Sequence, residues 1–291
     1  MKIKKAIISA AGYGTRFLPA VKAIPKELLP IIDKPIIQYL VEEAVGSGIE
    51  EVIIVTRQGL HGIEDHFDSN FELEEKLKTG GKTELLEKVQ KPARLAHFVF
   101  LRQTKDYPYG NGSPLLVASN LIDQNESFVY MFGDDLVLGK TPAVKQLLDV
   151  WQKNQDAIVL GCQEVAREEV CRYGMVAIKK GTTNQIASVI EKPELKDVTS
   201  NLASYGRFIL NKKIIEILGK KKLGKGNELW LQDANNEYCQ KYKALAVKIK
   251  GQWLTTGDPL NYLKATVEYA LQRPDLSAEF KNYLQSRLKS R

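Results

Sequence analysis

The stretch "AAGYGTRFLPAVKAIPKELLP" (residues 10–30) directly follows the apolar run "AIIS" near the N-terminus. Gly12 and Gly14 allow close approach of the backbone, so that amide N–H groups can point at a phosphate or a base edge. Arg16 offers a rigid fork of donors for phosphate oxygens, and Lys26 offers a compact, mobile charge. Three prolines stiffen the loop that presents these groups. Each residue alone fits a solvated connector, but their combination predicts a loop that binds an anionic ligand.

Short apolar runs alternate with amphipathic helical patterns in the first part of the chain. The predicted strands are 5–11, 51–55, 97–101, 127–132 and 157–161. The predicted helices are 34–48, 114–122 and 142–153. Strands that alternate with helices imply right-handed crossovers between parallel strands. The pattern therefore predicts an α/β fold with a mostly parallel sheet and flanking helices.

The pattern changes in three other parts of the chain. Residues 64–91 predict two short amphipathic helices around "TGG", which we interpret as a surface insertion. From residue 174 onward the sequence resembles a small β-hairpin region, and helical patterns return after residue 211. Residues 259–291 predict a C-terminal helical tail. Because no interdomain linker is evident, we expect one domain over residues 1–291.

Three stretches are expected to meet at one edge of the sheet, because ligands bind such sheets at the carboxyl ends of the strands. They are the loop 10–30, "YGNGSP" after strand 97–101, and "GDD" after strand 127–132. Asp134 and Asp135 directly follow this last strand, where a carboxylate suits Mg²⁺, a hard cation that prefers oxygen ligands. A solvated aspartate pair that opens a turn is an equally good interpretation of these two residues.

Composition excludes several classes of function. The 291 residues carry a net charge of +7, and the densest basic cluster, 219–226, has no interleaved aromatic residues. We therefore interpret it as a solvated loop and expect no nucleic-acid partner. The three cysteines are odd in number and lack CxxC spacing, which indicates reduced thiols and a cytoplasmic location. No run is long enough to span a membrane, and hydrolase, P-loop and dinucleotide-binding motifs are absent from the sequence.

Five segments together resemble the bacterial sugar-1-phosphate nucleotidylyltransferases, above all those that use UTP and glucose 1-phosphate. They are "AAGYGTRFLPAVKAIPKELLP", "FGDD", "VIEKP", "SNLASYGRFIL" and "WLTTGDPLNYLKA". The resemblance implies a single Rossmann-like nucleotidyltransferase domain. It also implies that glucose 1-phosphate, assisted by Mg²⁺, attacks the α-phosphorus of UTP, giving UDP-glucose and pyrophosphate. Members of this family form dimers or tetramers, so a homo-dimer or homo-tetramer is implied as well.

The resemblance also assigns roles by position in the shared motifs. Residues implied to bind the nucleotide are Ala11, Gly12, Gly14, Glu27, Gln103 and Gly110. Residues implied to act in catalysis are Arg16, Lys26, Asp134 and Lys192, with Asp134 as the Mg²⁺ ligand. Residues implied to line the sugar pocket are Gly174, Glu191, Lys192 and Gly206. Lys192 would hold the sugar phosphate, and because it precedes a proline we expect extended backbone geometry there.

The sequence departs from the family pattern at three places. The loop usually written G-L-G-H-A is "GNGSP" at 110–114, and E-I-Q-L-T-D is replaced by "ELWLQD" at 228–233. Thr255 stands where relatives have an aspartate or another metal-binding side chain, and the nearby Asp258 is considered as a substitute. These departures leave two alternatives open: a dTTP-dependent sugar-1-phosphate nucleotidylyltransferase, or a catalytically weak protein that binds a nucleotide sugar.

Overall fold

The computed structural model describes residues 2–59 and 61–289 of the chain. Its strands are β1 (Lys5–Ser9), β2 (Pro30–Ile31), β3 (Lys34–Pro35), β4 (Glu51–Arg57), β5 (His97–Gln103), β6 (Ser127–Phe132), β7 (Asp135–Leu138), β8 (Ile158–Glu164), β9 (Gly174–Ile178), β10 (Ile186–Glu191), β11 (Leu202–Asn211), β12 (Ala244–Lys248) and β13 (Gln252–Thr255). Its helices are α1 (Ile36–Gly46), α2 (Gly62–His66), α3 (Phe71–Thr79), α4 (Thr83–Gln90), α5 (Ser113–Val117), α6 (Ala143–Trp151), α7 (Lys212–Gly219), α8 (Leu231–Cys239), α9 (Pro259–Gln272) and α10 (Ser277–Lys289). Residues 1, 60, 290 and 291, which the predicted domain includes, lie outside the described residues.

The central sheet runs in the order β10-β9-β11-β6-β1-β4-β5, and β8 pairs with both β11 and β12. The block β6-β1-β4-β5 is entirely parallel. β11 joins it antiparallel to β6, and β9 and β10 form the hairpin expected after residue 174. The predicted α/β fold, with a mostly parallel central sheet and flanking helices, is confirmed.

Alternate residues of the central strands pack into two hydrophobic clusters, because successive side chains point to opposite faces of a sheet. Ile8 of β1 packs in the same cluster as Ile54 of β4. Ile7 and Ile53, one position earlier in each strand, pack in the other cluster. Helices cover both faces, which is why these strands are continuous apolar runs in the sequence.

Two short strands that the sequence analysis did not predict help to build the edge where ligands are expected. β13 pairs antiparallel with β7, and Thr255 lies opposite Asp135. Asp135 therefore begins a strand and is only 6% exposed, so a solvated pair of aspartates is the wrong interpretation for this residue. The pairing also brings residues 255–257 next to the carboxyl end of β6.

The helices differ in detail from the prediction. α5 ends at Val117, and a separate 3-10 turn covers Ser119–Leu121, so the helix predicted over 114–122 is shorter. α3 and α4 flank the "TGG" of the region interpreted as an insertion. Within residues 2–59 and 61–289, no helix has both the length and the apolar character that a membrane crossing needs.

Candidate active site

A cleft with a volume of about 360 Å³ lies at the carboxyl ends of β1, β5 and β6. Most of the residues that the sequence analysis singled out line it: Ala11, Gly12, Gly14, Arg16, Lys26, Glu27, Gln103, Gly110, Asp134 and Lys192. The predicted sugar-pocket residues Gly174, Glu191 and Gly206 do not line this cleft. The loop 10–30, the "YGNGSP" segment and the "GDD" segment therefore meet at one cleft, as expected. The other residues assigned to the sugar pocket lie outside the lining of this cleft.

The glycine loop is folded into short 3-10 turns that begin at a left-handed residue. Gly14 has a φ of 63°, and a β-carbon there would come within 3.1 Å of Val21 Cγ2. This position therefore requires glycine. The turn that follows carries Arg16, whose Nη1 donates to the carbonyl oxygen of Gly257 at 3.2 Å. This contact ties the loop to the segment that follows β13.

Lys26 and Asp134 form an ion pair in the floor of the cleft. Burial acts against both charges, but each offsets the penalty of the other. The carboxylates of Asp134 and Glu27 raise the pKa of Lys26 above its usual value, and the Lys26 ammonium holds the pKa of Asp134 below its usual value. A β-carbon on Gly12 would lie 3.9 Å from Lys26 Nζ. A ligand phosphate at the Gly12 backbone would therefore meet the ammonium as well.

Asp135 has a different environment from its neighbour. Its Oδ1 accepts a hydrogen bond from Trp253 Nε1 at 2.9 Å, and its Oδ2 accepts one from the Gly206 amide at 3.2 Å. Burial, with a contribution from Asp134, raises the pKa of Asp135 to about 6. Gly206 packs so closely here that a β-carbon would lie 2.8 Å from Asp135 Oδ2. The Asp135 side chain therefore links β11 and β13 through hydrogen bonds, whereas Asp134 lines the cleft.

Glu27 is a buried carboxyl group in the wall of the cleft. It is 1% exposed, and its Oε2 has no hydrogen-bond partner among the described residues. Burial raises the pKa of Glu27 to about 7, although the Lys26 ammonium opposes the rise. An unpaired buried oxygen that lines a cleft is suited to accept a hydrogen bond from a ligand hydroxyl.

We expect Glu27→Gln to change how the free energy of unfolding depends on pH. Because folding raises the pKa of Glu27 from 4.5 to about 7, the wild-type protein loses stability as pH rises through this window. The loss in the free energy of unfolding should amount to about 3 kcal/mol once the group is ionised in both states. Urea unfolding of the wild type and Glu27→Gln at pH 5 and pH 8 measures this loss. The other carboxyl groups contribute equally to both proteins, so their effect cancels when the two free energies of unfolding are subtracted. A difference between variant and wild type that does not change with pH would rule out a buried, ionisable Glu27.

Two of the departures from the family pattern contact each other beside Gly110, which was predicted to bind the nucleotide. Gly110 has a φ of 135°, and a β-carbon there would lie 2.4 Å from the carbonyl oxygen of Leu229. The Asn111 side chain accepts a hydrogen bond from the Leu231 amide, which opens α8, at 2.8 Å. Asn111 replaces the leucine of the family loop. The altered loop at 110–114 therefore forms a hydrogen bond with the altered segment at 228–233, which leads into α8.

Aromatic side chains at the mouth of the cleft were missed in the sequence analysis. The rings of Tyr13 and Tyr109 stack with centroids 5.9 Å apart, and both line the cleft together with Trp230. Tyr13 and Tyr109 each adjoin a glycine that was assigned to the nucleotide. An aromatic residue beside such a glycine was the signal that could have identified them.

Glu191 and Gly174, both predicted to line the sugar pocket, are cross-strand partners in the β9–β10 hairpin. Burial raises the pKa of Glu191 to about 7. The prediction of extended geometry at Lys192 is wrong, because its φ is 44°. The chain turns sharply here, and the Lys192 amide donates to the carbonyl oxygen of Tyr173 at 3.0 Å. This turn places the ammonium at the cleft.

Thr255 and Asp258, the residues that the sequence analysis considered for a second metal contact, lie on either side of Gly257. Asp134 Oδ2 and Thr255 Oγ1 both lie within 3.6 Å of the position that a β-carbon on Gly257 would occupy. Asp258 instead caps α9, where its Oδ1 accepts from the Asn261 amide at 3.1 Å. Over residues 2–59 and 61–289, no three acidic, histidine or cysteine side chains are grouped as a metal site. Asp134, which lines the cleft, is a carboxylate that could hold Mg²⁺ together with ligand phosphates, an arrangement this cation commonly accepts.

Known proteins are similar to this chain in sequence over nearly its whole length. Residues 5–272 match the model of the nucleotidyl transferase family. A UTP–glucose-1-phosphate uridylyltransferase of Staphylococcus epidermidis is 44% identical over 97% of this chain and 98% of the relative. One of Bacillus subtilis is 42% identical over 99% of this chain and 98% of the relative.

Solved structures give the same result. A UDP-glucose pyrophosphorylase complexed with UDP-glucose has a TM-score of 0.82 at 38% identity, covering 94% of this chain and 100% of the other. A UTP-bound enzyme of this type from Acinetobacter baumannii has a TM-score of 0.88 at 33% identity, covering 98% and 99%. The resemblance seen in the sequence is confirmed, and the chain belongs to the nucleotidyl transferase family.

Proposed function

We propose that the chain transfers a uridylyl group from UTP to glucose 1-phosphate, giving UDP-glucose and pyrophosphate. The observation that carries the proposal is the partly buried Lys26–Asp134 pair, which lines one cleft together with the glycine loop and Lys192. A cation for the leaving phosphates, a carboxylate for Mg²⁺ and a second cation for the acceptor phosphate are the groups that this transfer needs. The relatives that share the fold carry the same activity in their names.

In this reaction a phosphate oxygen of glucose 1-phosphate forms a bond to the α-phosphorus of UTP. The bond from that phosphorus to the oxygen bridging to the β-phosphate breaks, and pyrophosphate leaves with the electron pair. The protein therefore has to align two reactants and offset negative charge, and it needs no covalent nucleophile. Holding both substrates in line lowers the barrier by roughly 7–11 kcal/mol in well-oriented systems.

Lys26 and Arg16 offset the charge that develops on the leaving pyrophosphate. Lys26 is held in the floor of the cleft by its pairing with Asp134, so little reorganisation is required when charge develops. Arg16 is more exposed and is anchored through Gly257. When bound at Asp134, Mg²⁺ supplies further positive charge to the phosphates. Glu27, whose Oε2 has no hydrogen-bond partner within residues 2–59 and 61–289, accepts a hydrogen bond from the nucleoside.

We expect Thr255→Asp to lower the Mg²⁺ concentration that gives half-maximal rate. A threonine hydroxyl is neutral, whereas hard cations prefer anionic oxygens. The Thr255 hydroxyl and Asp134 Oδ2 lie near a common point, so a carboxylate at position 255 can reach the same ion. Initial rates over a Mg²⁺ titration measure the effect, with Asp258→Asn as the matched control. An unchanged Mg²⁺ requirement in Thr255→Asp would show that position 255 does not contact the metal.

Release of pyrophosphate with a panel of nucleotides and sugar phosphates tests the proposed specificity. We expect the highest kcat/KM with UTP and glucose 1-phosphate. A higher kcat/KM with dTTP than with UTP would establish the thymidylyltransferase alternative. The altered loop at 110–114 is the reason for testing it. Binding of UDP-glucose without turnover of any nucleotide would establish the binding-protein alternative.

We also propose that the enzyme works in the cytoplasm as a homo-dimer or homo-tetramer. Its three cysteines are free thiols, which suits a reducing compartment. Leu260 and Leu263 of α9 are 62% and 60% exposed, and exposed leucines one turn apart suit a contact between subunits. Light scattering of the purified protein measures the oligomeric state.

A further inference from the structure

A closed set of three contacts joins Lys192, Trp230 and Lys225 beside the cleft. The Lys192 ammonium lies 4.1 Å from the centroid of the Trp230 ring. The indole Nε1 donates to the carbonyl oxygen of Lys225 at 2.8 Å, and Lys225 Nζ donates to the carbonyl oxygen of Lys192 at 3.1 Å. The face of the Trp230 ring therefore contacts the Lys192 ammonium. The indole N–H also fixes Lys225, which in turn donates to the backbone of Lys192.

The backbone of Lys192 is fixed on both sides. Its φ of 44° lies in a region that residues other than glycine seldom adopt. The Lys192 amide donates a hydrogen bond to the carbonyl oxygen of Tyr173, and the Lys192 carbonyl oxygen accepts one from Lys225 Nζ. Such conformations persist only where the surrounding structure enforces them, and they are common at ligand clamps.

The ring holds the ammonium without neutralising it. Lys26 donates to the Asp134 carboxylate, whereas Lys192 forms only a longer ion pair, with its Nζ 3.8 Å from Glu191 Oε1 and beyond hydrogen-bond distance. An aromatic face attracts a cation through its quadrupole, so the N–H donors stay available to a phosphate. The Lys192 side chain is 37% exposed, and Lys192 and Trp230 both line the cleft.

We propose that Trp230 is a positioning residue for the acceptor substrate: its indole face holds the Lys192 ammonium where the phosphate of a sugar 1-phosphate binds. The inference rests on the proposed function, which assigns that phosphate to Lys192, and adds the residue that sets the affinity for it. The family pattern E-I-Q-L-T-D has glutamine at this position, so the aromatic side chain is a departure of this sequence from that pattern. Trp230 acts through Lys192 and the loop that carries Lys225.

Kinetics of three variants test the proposal. Trp230→Leu removes the aromatic face but keeps an apolar side chain, and it should raise KM for glucose 1-phosphate about tenfold, as expected for one cation–π contact. Trp230→Phe keeps a ring and should raise this KM only about two- to threefold. KM for UTP and kcat should stay within about twofold of wild type in both variants, because the phosphate contacts of the nucleotide are unchanged. Lys222→Ala, an exposed lysine of the same loop, is the matched control and should change neither KM.

Tryptophan emission provides a second readout that does not require turnover. Glucose 1-phosphate is titrated with and without a non-hydrolysable UTP analogue. The wild type should show an emission change that both Trp230→Phe and Lys192→Met lack, because phosphate binding to the ammonium changes the electrostatic environment of the ring that the ammonium faces. If no nucleotide supports turnover, the proposed function fails, and the emission readout still decides whether Trp230 reports on Lys192. An emission change that persists in Lys192→Met, no change in the wild type, or a wild-type KM in Trp230→Leu would overturn the proposal.

Discussion

Lys26→Ala should lower kcat by about 10²–10³-fold, the usual cost of removing a preorganised group that stabilises transition-state charge. Lys26 lies in the floor of the cleft, paired with Asp134 and adjacent to the Gly12 backbone. It is therefore fixed where the leaving pyrophosphate gains charge. Steady-state rates with both substrates saturating measure the loss, and KM for glucose 1-phosphate should change little.

Two controls separate catalysis from folding in this experiment. Lys22→Ala removes an exposed lysine of the same loop and should leave kcat within about twofold of wild type, as surface changes usually do. Lys26→Met keeps the apolar part of the side chain and should lose activity as Lys26→Ala does. A kcat near the wild-type value in either Lys26 variant would remove this residue from the catalytic machinery.

Asp134→Asn should lower kcat by about 10²-fold or more at every Mg²⁺ concentration, since it removes the carboxylate that would share the ion with the phosphates. Asp135→Asn should chiefly reduce stability, by about 1–3 kcal/mol. An amide has one oxygen, whereas Asp135 uses two, toward Trp253 and Gly206. Rates over a Mg²⁺ titration and urea unfolding of both variants separate the two effects. Loss of Mg²⁺-dependent turnover in Asp135→Asn with activity retained in Asp134→Asn would reverse the assignment.

The parts of the fold that depend on local periodicity were predictable from the sequence. β6 coincides with the predicted strand 127–132, and α1 lies within the predicted helix 34–48. β7 and β13 were not predicted, because each has four residues and is defined by its pairing with the other. That pairing joins positions more than a hundred residues apart, so no local sequence pattern predicts these two strands.

The candidate site was predictable where residue type and motif position decide the chemistry. Lys26 and Asp134 belong to motifs at the ends of adjacent strands, and parallel topology brings such ends together. The conformation of Lys192 was not predictable, because tertiary hydrogen bonds override the local preference before proline. Trp230 appeared in the sequence only as a departure from a pattern. Its contact with Lys192 arises from two loops that the fold brings together.

The most direct test of uridylyl transfer is the stoichiometry of products from UTP and glucose 1-phosphate with Mg²⁺. Pyrophosphate and UDP-glucose are measured together in the wild-type protein and in Lys26→Ala. We predict that the wild type forms the two products in equal amounts, only when both substrates are present, and that Lys26→Ala forms both far more slowly. Pyrophosphate without UDP-glucose, or no pyrophosphate from UTP while UDP-glucose still binds, would contradict this account.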